Sequence, residues 1–241
     1  AFRKSGKTVV AFLEYGGDRE YYLASAADKV YLLPTSPLDL TGVASYEIFL
    51  RGTLDKIGAY PDFLHIGDYK TAVNQLTEKE FTPAHREMSE SLNRDMYEQL
   101  VRGIAEARKK SESEVRALID QGPFVPEEAL RHGLVDDLAY EDQLDDRVPE
   151  LRDGSNEIRR LEGSDYQGVA LADVGFRPNA RLGIIYAVGT IVSGKSAFDP
   201  VNGAVVGSET IVEQIRRVRD DRSIRAIILR VDSPGGSSIA S

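Results

Sequence analysis

Arg225-Ala226-Ile227-Ile228-Leu229-Arg230-Val231-Asp232-Ser233-Pro234-Gly235-Gly236-Ser237 is the stretch that decides the architecture. Ala226 to Val231 is an almost continuously apolar, β-branched run, the pattern of a strand buried on both faces of a parallel sheet. It ends in a Pro-Gly-Gly turn. Pro234 fixes φ and carries no N–H, whereas Gly235 and Gly236 can take positive φ and let another backbone come close. N–H groups turned outward at the carboxyl end of a buried strand can stabilise a developing oxyanion. The same residues also make an ordinary tight turn.

Upstream of this strand, Leu182 to Val188 reads as a second buried strand, Gly189 to Gly207 as a loop, and Ser208 as the cap of a helix carrying Ile211, Ile215 and Val218 on one face. The alternation also runs through the first part of the chain. Thr8 to Leu13 and Lys29 to Leu33 are predicted buried strands, with a short helix over Tyr21 to Ala27 between them. Pro34 to Gly42 reads as a loop and Glu47 to Ile57 as a helix closed by Gly58. Thr82-Pro83 is an N-cap and first-turn pair. Met88, Leu92, Met96, Leu100 and Ile104 then recur every four residues as a core-facing stripe. Ser111 to Glu114 is a capping box, and Pro126 to His132 is a helix ended by Gly133. Strand and helix alternate throughout, which predicts an α/β architecture of parallel sheets with flanking helices.

Residues 141–180 are charged and weakly periodic, and they read as a connector between a first unit at 1–140 and a second at 181–241. Both ends look cut. Ala1 to Lys7 reads as the tail of a helix, and Ser241 follows just after the glycine turn.

Phe63-Leu64-His65-Ile66-Gly67-Asp68-Tyr69-Lys70 is the second informative stretch. Phe63 to Ile66 is predicted to be a buried strand broken by Gly67, which sets Lys70 just past a strand end, where packed sheets deliver functional loops. A lysine desolvated in a cleft becomes a usable base near neutral pH, although most lysines are solvated. Other chemistry is thin. His65, His85 and His132 make no metal-ligand spacing with carboxylates, so no metal or cofactor is expected, and Asp136-Asp137 and Asp145-Asp146 read as solvated pairs. The chain has 41% hydrophobic and 29% charged residues, a globular composition, and its net charge of −9 argues against a nucleic-acid partner. The absence of cysteine excludes disulfides, thiolate metal sites and a cysteine nucleophile.

Several of these stretches together carry a resemblance. Arg225 to Ser237 resembles the oxyanion segment of the signal peptide peptidases of the protease IV type, which are Clp-protease-like, crotonase-fold serine peptidases. Tyr21 to Tyr31, Leu38 to Gly42, Gly67 to Val73 and Gly133 to Asp137 resemble the amino-terminal half of the tandem-repeat members. The resemblance implies two related α/β units, with 1–140 the late part of the first and 181–241 the early part of the second. It implies that Lys70 is the general base of a Ser/Lys dyad, that Gly236 supported by Gly235 supplies an oxyanion N–H, and that Ser237, Ser238 and Ile239 pair with an extended peptide. The nucleophilic serine would lie downstream of Ser241, which by the same resemblance belongs to the helix after the oxyanion strand. In the first unit Asp18 stands roughly where a serine would be needed. Signal peptides would be the substrates, with homo-oligomeric assembly and an amino-terminal helix anchoring the enzyme in the bacterial inner membrane, facing the periplasm. Two other readings stay open. A crotonase-like acyl-CoA enzyme would share the fold but make no use of Lys70, and a catalytically inactive scaffold would need neither lysine nor oxyanion donor.

Overall fold

A computed structural model describes residues 6–148, 163–169, 181–200 and 203–241. The chain divides into two units, Ala1–Arg159 and Arg160–Ser241. The helix tail expected at the amino terminus and most of the expected connector lie outside the described residues.

In the first unit, β1 (Val10–Leu13), β2 (Gly16–Gly17), α1 (Asp18–Ser25), β3 (Lys29–Leu32) and β4 (Leu38–Asp39) come first. They are followed by α2 (Arg51–Lys56), α3 (Asn74–Thr77), α4 (Pro83–Arg108), α5 (Glu112–Ile119), α6 (Pro126–Arg131), β5 (Asp137–Leu138) and α7 (Leu144–Arg147). The central sheet is parallel in the order β1-β3-β5, with Val10 opposite Lys29 and Tyr31 opposite Asp137. β2 and β4 form a second, two-residue parallel pair. Burial explains the assembly. Val30 and Leu32 of the middle strand are fully buried, and Tyr21 and Ala24 of α1 pack with them against Val101 and Ile104 of α4. β1 is an edge strand and is only half covered, not buried on both faces as its apolar run predicted.

The helix ends follow the sequence closely. The Thr82 hydroxyl accepts from the His85 N–H, and Pro83 opens α4 with no N–H left over. Both reciprocal bonds of the Ser111–Glu114 capping box are present. Gly133 takes a φ of +66° after α6. Only the second half of the α4 stripe reaches the core. Leu100 and Ile104 are buried, whereas Met88, Leu92 and Met96 are exposed.

The run Phe63 to Ile66 is not a strand. Among the described residues no neighbouring strand offers it a ladder, so its apolar side chains stay in solvent, with Leu64 and Ile66 almost wholly exposed. The expected helix from Glu47 shrinks to the short α2. Asp136 and Asp137 are engaged rather than solvated. Asp136 accepts from the Val30 N–H at 2.7 Å and from Arg108 at 2.9 Å, fastening the end of α4 to the central strand, and Asp137 pairs with Arg147.

The second unit contains α8 (Gly163–Gln167), β6 (Arg181–Val188), β7 (Thr190–Val192), β8 (Ala197–Asp199), β9 (Gly203–Gly207), α9 (Ser208–Asp220) and β10 (Ile224–Asp232). β6 and β10 pair in parallel. β6 alternates, with Gly183, Ile185 and Ala187 buried and the residues between them exposed, and β10 is exposed nearly throughout. Both were expected to be buried on two faces. α9 covers only the Gly183 face, where a Cβ would run into Val218. Within the stretch predicted as a loop, Gly189 to Gly207, the described residues include a three-stranded sheet in the order β7-β9-β8, parallel between β7 and β9 and antiparallel between β8 and β9. Gly207 rather than Ser208 is the N-cap of α9.

Candidate active site

Lys70 sits at the end of a tight turn. Gly67 takes a φ of +82°, which glycine tolerates, and its carbonyl accepts the Lys70 N–H at 3.3 Å. A single 3-10 turn over Thr71–Val73 follows. The residues on either side of the lysine are tied to the start of α4. The Tyr69 hydroxyl donates to Glu87 at 2.8 Å, which holds the phenol above its usual pKa, and the buried Thr71 hydroxyl reaches the Met88 sulfur at 3.9 Å. Asn74, also buried, donates to the Thr82 hydroxyl at 3.4 Å. Lys70 lies between two clamped residues with its own side chain exposed.

The glycine turn belongs to the second unit. Gly235 and Gly236 have φ of +108° and +155°. A parallel bridge joins Gly236 to Ile191 of β7. The Ile191 N–H donates to the Gly235 carbonyl and the Ser237 N–H donates to the Ile191 carbonyl, both at 2.9 Å. A parallel bridge uses the groups flanking its central residue, so the N–H of Gly236 itself points out of the ladder. Ser233 braces the turn, its hydroxyl accepting from the Gly235 N–H at 3.1 Å. Ser237 to Ile239 do not form the extended strand expected of a peptide-pairing edge. Ser238 begins a turn in which the Ala240 N–H and the Ser241 hydroxyl both donate to the Ser237 carbonyl, leaving Ile239 exposed.

Asp18 is the first residue of α1, directly after Gly17. One of its carboxylate oxygens accepts the N–H groups of Thr41 and Gly42, at 3.2 and 2.9 Å. Around it opens a cleft of about 900 Å³, lined by Tyr15, Asp39, Tyr22, Val43 and Met96 among others. The Tyr15 hydroxyl donates to Asp39 at 3.1 Å, and that bond raises its pKa. Sequence reasoning noted Asp18 but missed the cleft, because its walls come from three separated segments. The available signal was the pairing of a Gly-Gly-Asp turn with the later Leu38-Asp39-Leu40-Thr41-Gly42 stretch.

The histidines do not converge on Lys70 chemistry. His65 is exposed, with Nδ1 3.2 Å from the Gly67 carbonyl of the same turn. His85 is buried against the rings of Phe49 and Phe81, and His132 lies against Phe124. Among the described residues no group of three or more histidines and carboxylates could hold a metal, and no helix is long and apolar enough to cross a membrane.

Comparison with known proteins bears on the chain as a whole. The chain is 32% identical over 244 residues to the "Serine protease SPPA, chloroplastic" of Arabidopsis thaliana, an alignment spanning all of this chain and 36% of that protein. It is 33% identical over 251 residues to "Protease 4" of Salmonella typhi and 29% identical over 259 residues to "Protease 4" of Haemophilus influenzae. Each of those alignments again covers the whole chain, and 39% and 40% of the relative. The chain therefore spans well under half the length of the curated relatives it matches. Residues 1–154, which include the Lys70 turn and the Asp18 cleft, match the model of Peptidase family S49. A match over most of the chain, together with relatives aligned from end to end of it, shows that the chain belongs to peptidase family S49.

Proposed function

We propose that this chain is part of a serine endopeptidase that degrades cleaved signal peptides and similar apolar peptides with a Ser/Lys dyad, Lys70 acting as general base. The observation that carries the proposal is the Gly67–Lys70 turn within the family-matched region, which holds an exposed lysine between two residues fastened to α4. The nucleophilic serine would come from the longer protein beyond residue 241, with 1–140 as the late part of one repeat and 181–241 as the early part of the next. The neutral amine would take the serine hydroxyl proton as the serine oxygen attacks the scissile carbonyl, and the ammonium would return that proton to the leaving amine. The outward N–H of Gly236 supports a role as oxyanion donor, with Gly235 setting the turn and Ser237, Ser238 and Ile239 contacting the peptide from the adjoining turn. Because Lys70 is exposed in this chain, the desolvation a lysine base needs would come from bound peptide or a neighbouring subunit of a homo-oligomer. Attachment to the bacterial inner membrane, with the catalytic part facing the periplasm, completes the proposal, which invokes no metal, cofactor or nucleic acid.

The test uses the full-length protein. Lys70→Ala should abolish cleavage of a lipophilic peptide and labelling by a fluorophosphonate probe while leaving the circular dichroism spectrum unchanged. Lys70→Arg should fail equally, since a guanidinium does not deprotonate near neutral pH. Activity within a few-fold of wild type in either variant rules out the assigned role.

A further inference from the structure

The Asp18 cleft is unused by the dyad chemistry, yet it is built. Its position, at the N-terminus of α1 with the amides of Thr41 and Gly42 facing inward, would suit an anion, but the Asp18 carboxylate already occupies both amides. With that internal anion in place the cleft repels a second one. The charged groups lining it are Asp18, Glu20 and Asp39 against the single cation Arg19, so three carboxylates face one guanidinium. The remainder of the wall is Tyr15, Tyr22, Val43, Ala44, Met96 and Leu100, together with Gly17, Thr41, Gly42 and the side-chain amide of Gln99.

The apolar character does not stop at the rim. Met96 lies on the cleft, and Leu92 and Met88 precede it at four-residue steps on the same face of α4, all three exposed. Eight helical residues span about 12 Å, so an apolar track of that length runs from the acidic cleft toward the start of α4. Two of the three track residues are methionines, whose flexible thioethers adapt to varied apolar partners. A metal ion is a poor occupant. Asp18 and Asp39 each have an oxygen committed to N–H or O–H donors, and no ligand cluster forms among the described residues.

We propose that the Asp18 cleft and the Met88–Leu92–Met96 track, whose far end meets Thr71 beside the Lys70 turn, form a peptide-binding site beyond the dyad that takes a segment with basic residues followed by apolar ones. The basic side chain enters among Asp18, Glu20 and Asp39, and the apolar residues lie along α4. This is the bipartite chemistry of a secretory signal peptide, a positively charged stretch followed by an apolar one. The inference deepens the proposed substrate class and rests on that reading. The site would hold the peptide by its charged end without contributing to bond cleavage.

Binding is measurable without turnover. The chain contains no tryptophan, so a short peptide of two lysines followed by leucines, alanines and one tryptophan reports its own binding to the 241-residue chain by fluorescence. The expected results are saturable binding, affinity about tenfold lower when the lysines are replaced by glutamates, and a comparable loss when the leucines are replaced by serines. Glu20→Gln with Asp39→Asn should weaken the lysine peptide about tenfold while leaving the glutamate peptide no weaker. Met96→Lys, which places a cation at the junction of cleft and track, should also weaken the lysine peptide at least tenfold. Circular dichroism melting confirms that each variant is folded. No binding, equal binding of the lysine and glutamate peptides, or unchanged binding in both variants would overturn the site. Because the readout is equilibrium binding, its failure is distinct from failure of the Lys70 assay, which is read as cleavage by the full-length protein.

Discussion

At the scale of the residue, Gly235 and Gly236 differ in what they tolerate. Around Gly235 there is open space, so Gly235→Ala meets only the strain of a positive φ, about 1–3 kcal/mol. A Cβ on Gly236 would collide with the backbone of Ile191. Gly236→Ala should therefore open the bridge and destabilise the second unit by more than Gly235→Ala does, as read from urea midpoints of the two variants. Tyr21 gives a pH signature. It is fully buried, its hydroxyl donates to the Leu134 carbonyl at 2.6 Å, and burial pushes its pKa from 10.0 up to about 12. The unfolded chain ionises this phenol first, so the stability it contributes is complete below pH 10 and is lost as pH rises toward 12. Tyr21→Phe should cost about 1–3 kcal/mol at neutral pH by stranding a buried carbonyl. It should also flatten the alkaline decline in guanidinium midpoint that the wild type shows.

At the scale of the element, stability is set by the caps. Ser111→Ala removes one half of the box at the start of α5 and should lower stability by about 0.5–2 kcal/mol at neutral pH. The bonds from Ser111 hold the Glu114 carboxyl below its usual pKa, so their benefit is present above the unfolded value of 4.5 and fades as pH falls through the lower folded one. The gap between wild type and Ser111→Ala should accordingly narrow in acid, measured by denaturation at a series of pH values. These caps were legible in the sequence because each depends on a few adjacent residues. The strands β3, β6 and β10 and the parallel pairing were legible for a similar reason, since long β-branched runs favour one state. What stayed hidden depended on distant partners. Phe63 to Ile66 has the composition of a strand and, among the described residues, no strand beside it. Thr190 to Val192 and Gly203 to Gly207 look like loop, and become strands only because β7 and β9 find each other across the intervening residues. The exposure of β10 and the walls of the Asp18 cleft were hidden for the same reason, whereas the Lys70 and Gly235–Gly236 turns announced themselves through local glycines.

At the scale of the whole molecule, the 241-residue chain holds a candidate base and one candidate oxyanion donor. The proposed mechanism draws its nucleophile and second donor from elsewhere in the longer protein, and loss of a nucleophile costs on the order of a million-fold in turnover. The purified chain should therefore not hydrolyse casein or a lipophilic peptide. Turnover that vanishes in Ser241→Ala would identify Ser241 as the nucleophile and refute the proposed placement. The two units also differ in how well they close. The first has a continuous core from Leu13 to Val135, whereas in the second Ile185, Ala187 and Val206 are the buried hydrophobic residues described.

β10 pairs with β6 along one side, and among the described residues its other edge carries no partner strand. An open edge bearing Ile227, Ile228 and Leu229 is a template for chain-to-chain β pairing, the first step of amyloid-like growth. Arg225 and Arg230 bracket that run, and flanking charges of this kind act as gatekeepers against stacking. Replacing both arginines by alanine should shorten the lag before thioflavin fluorescence rises in a concentrated solution of the chain, while raising ionic strength, which screens the same charges, should shorten the lag of the wild type more than that of the variant.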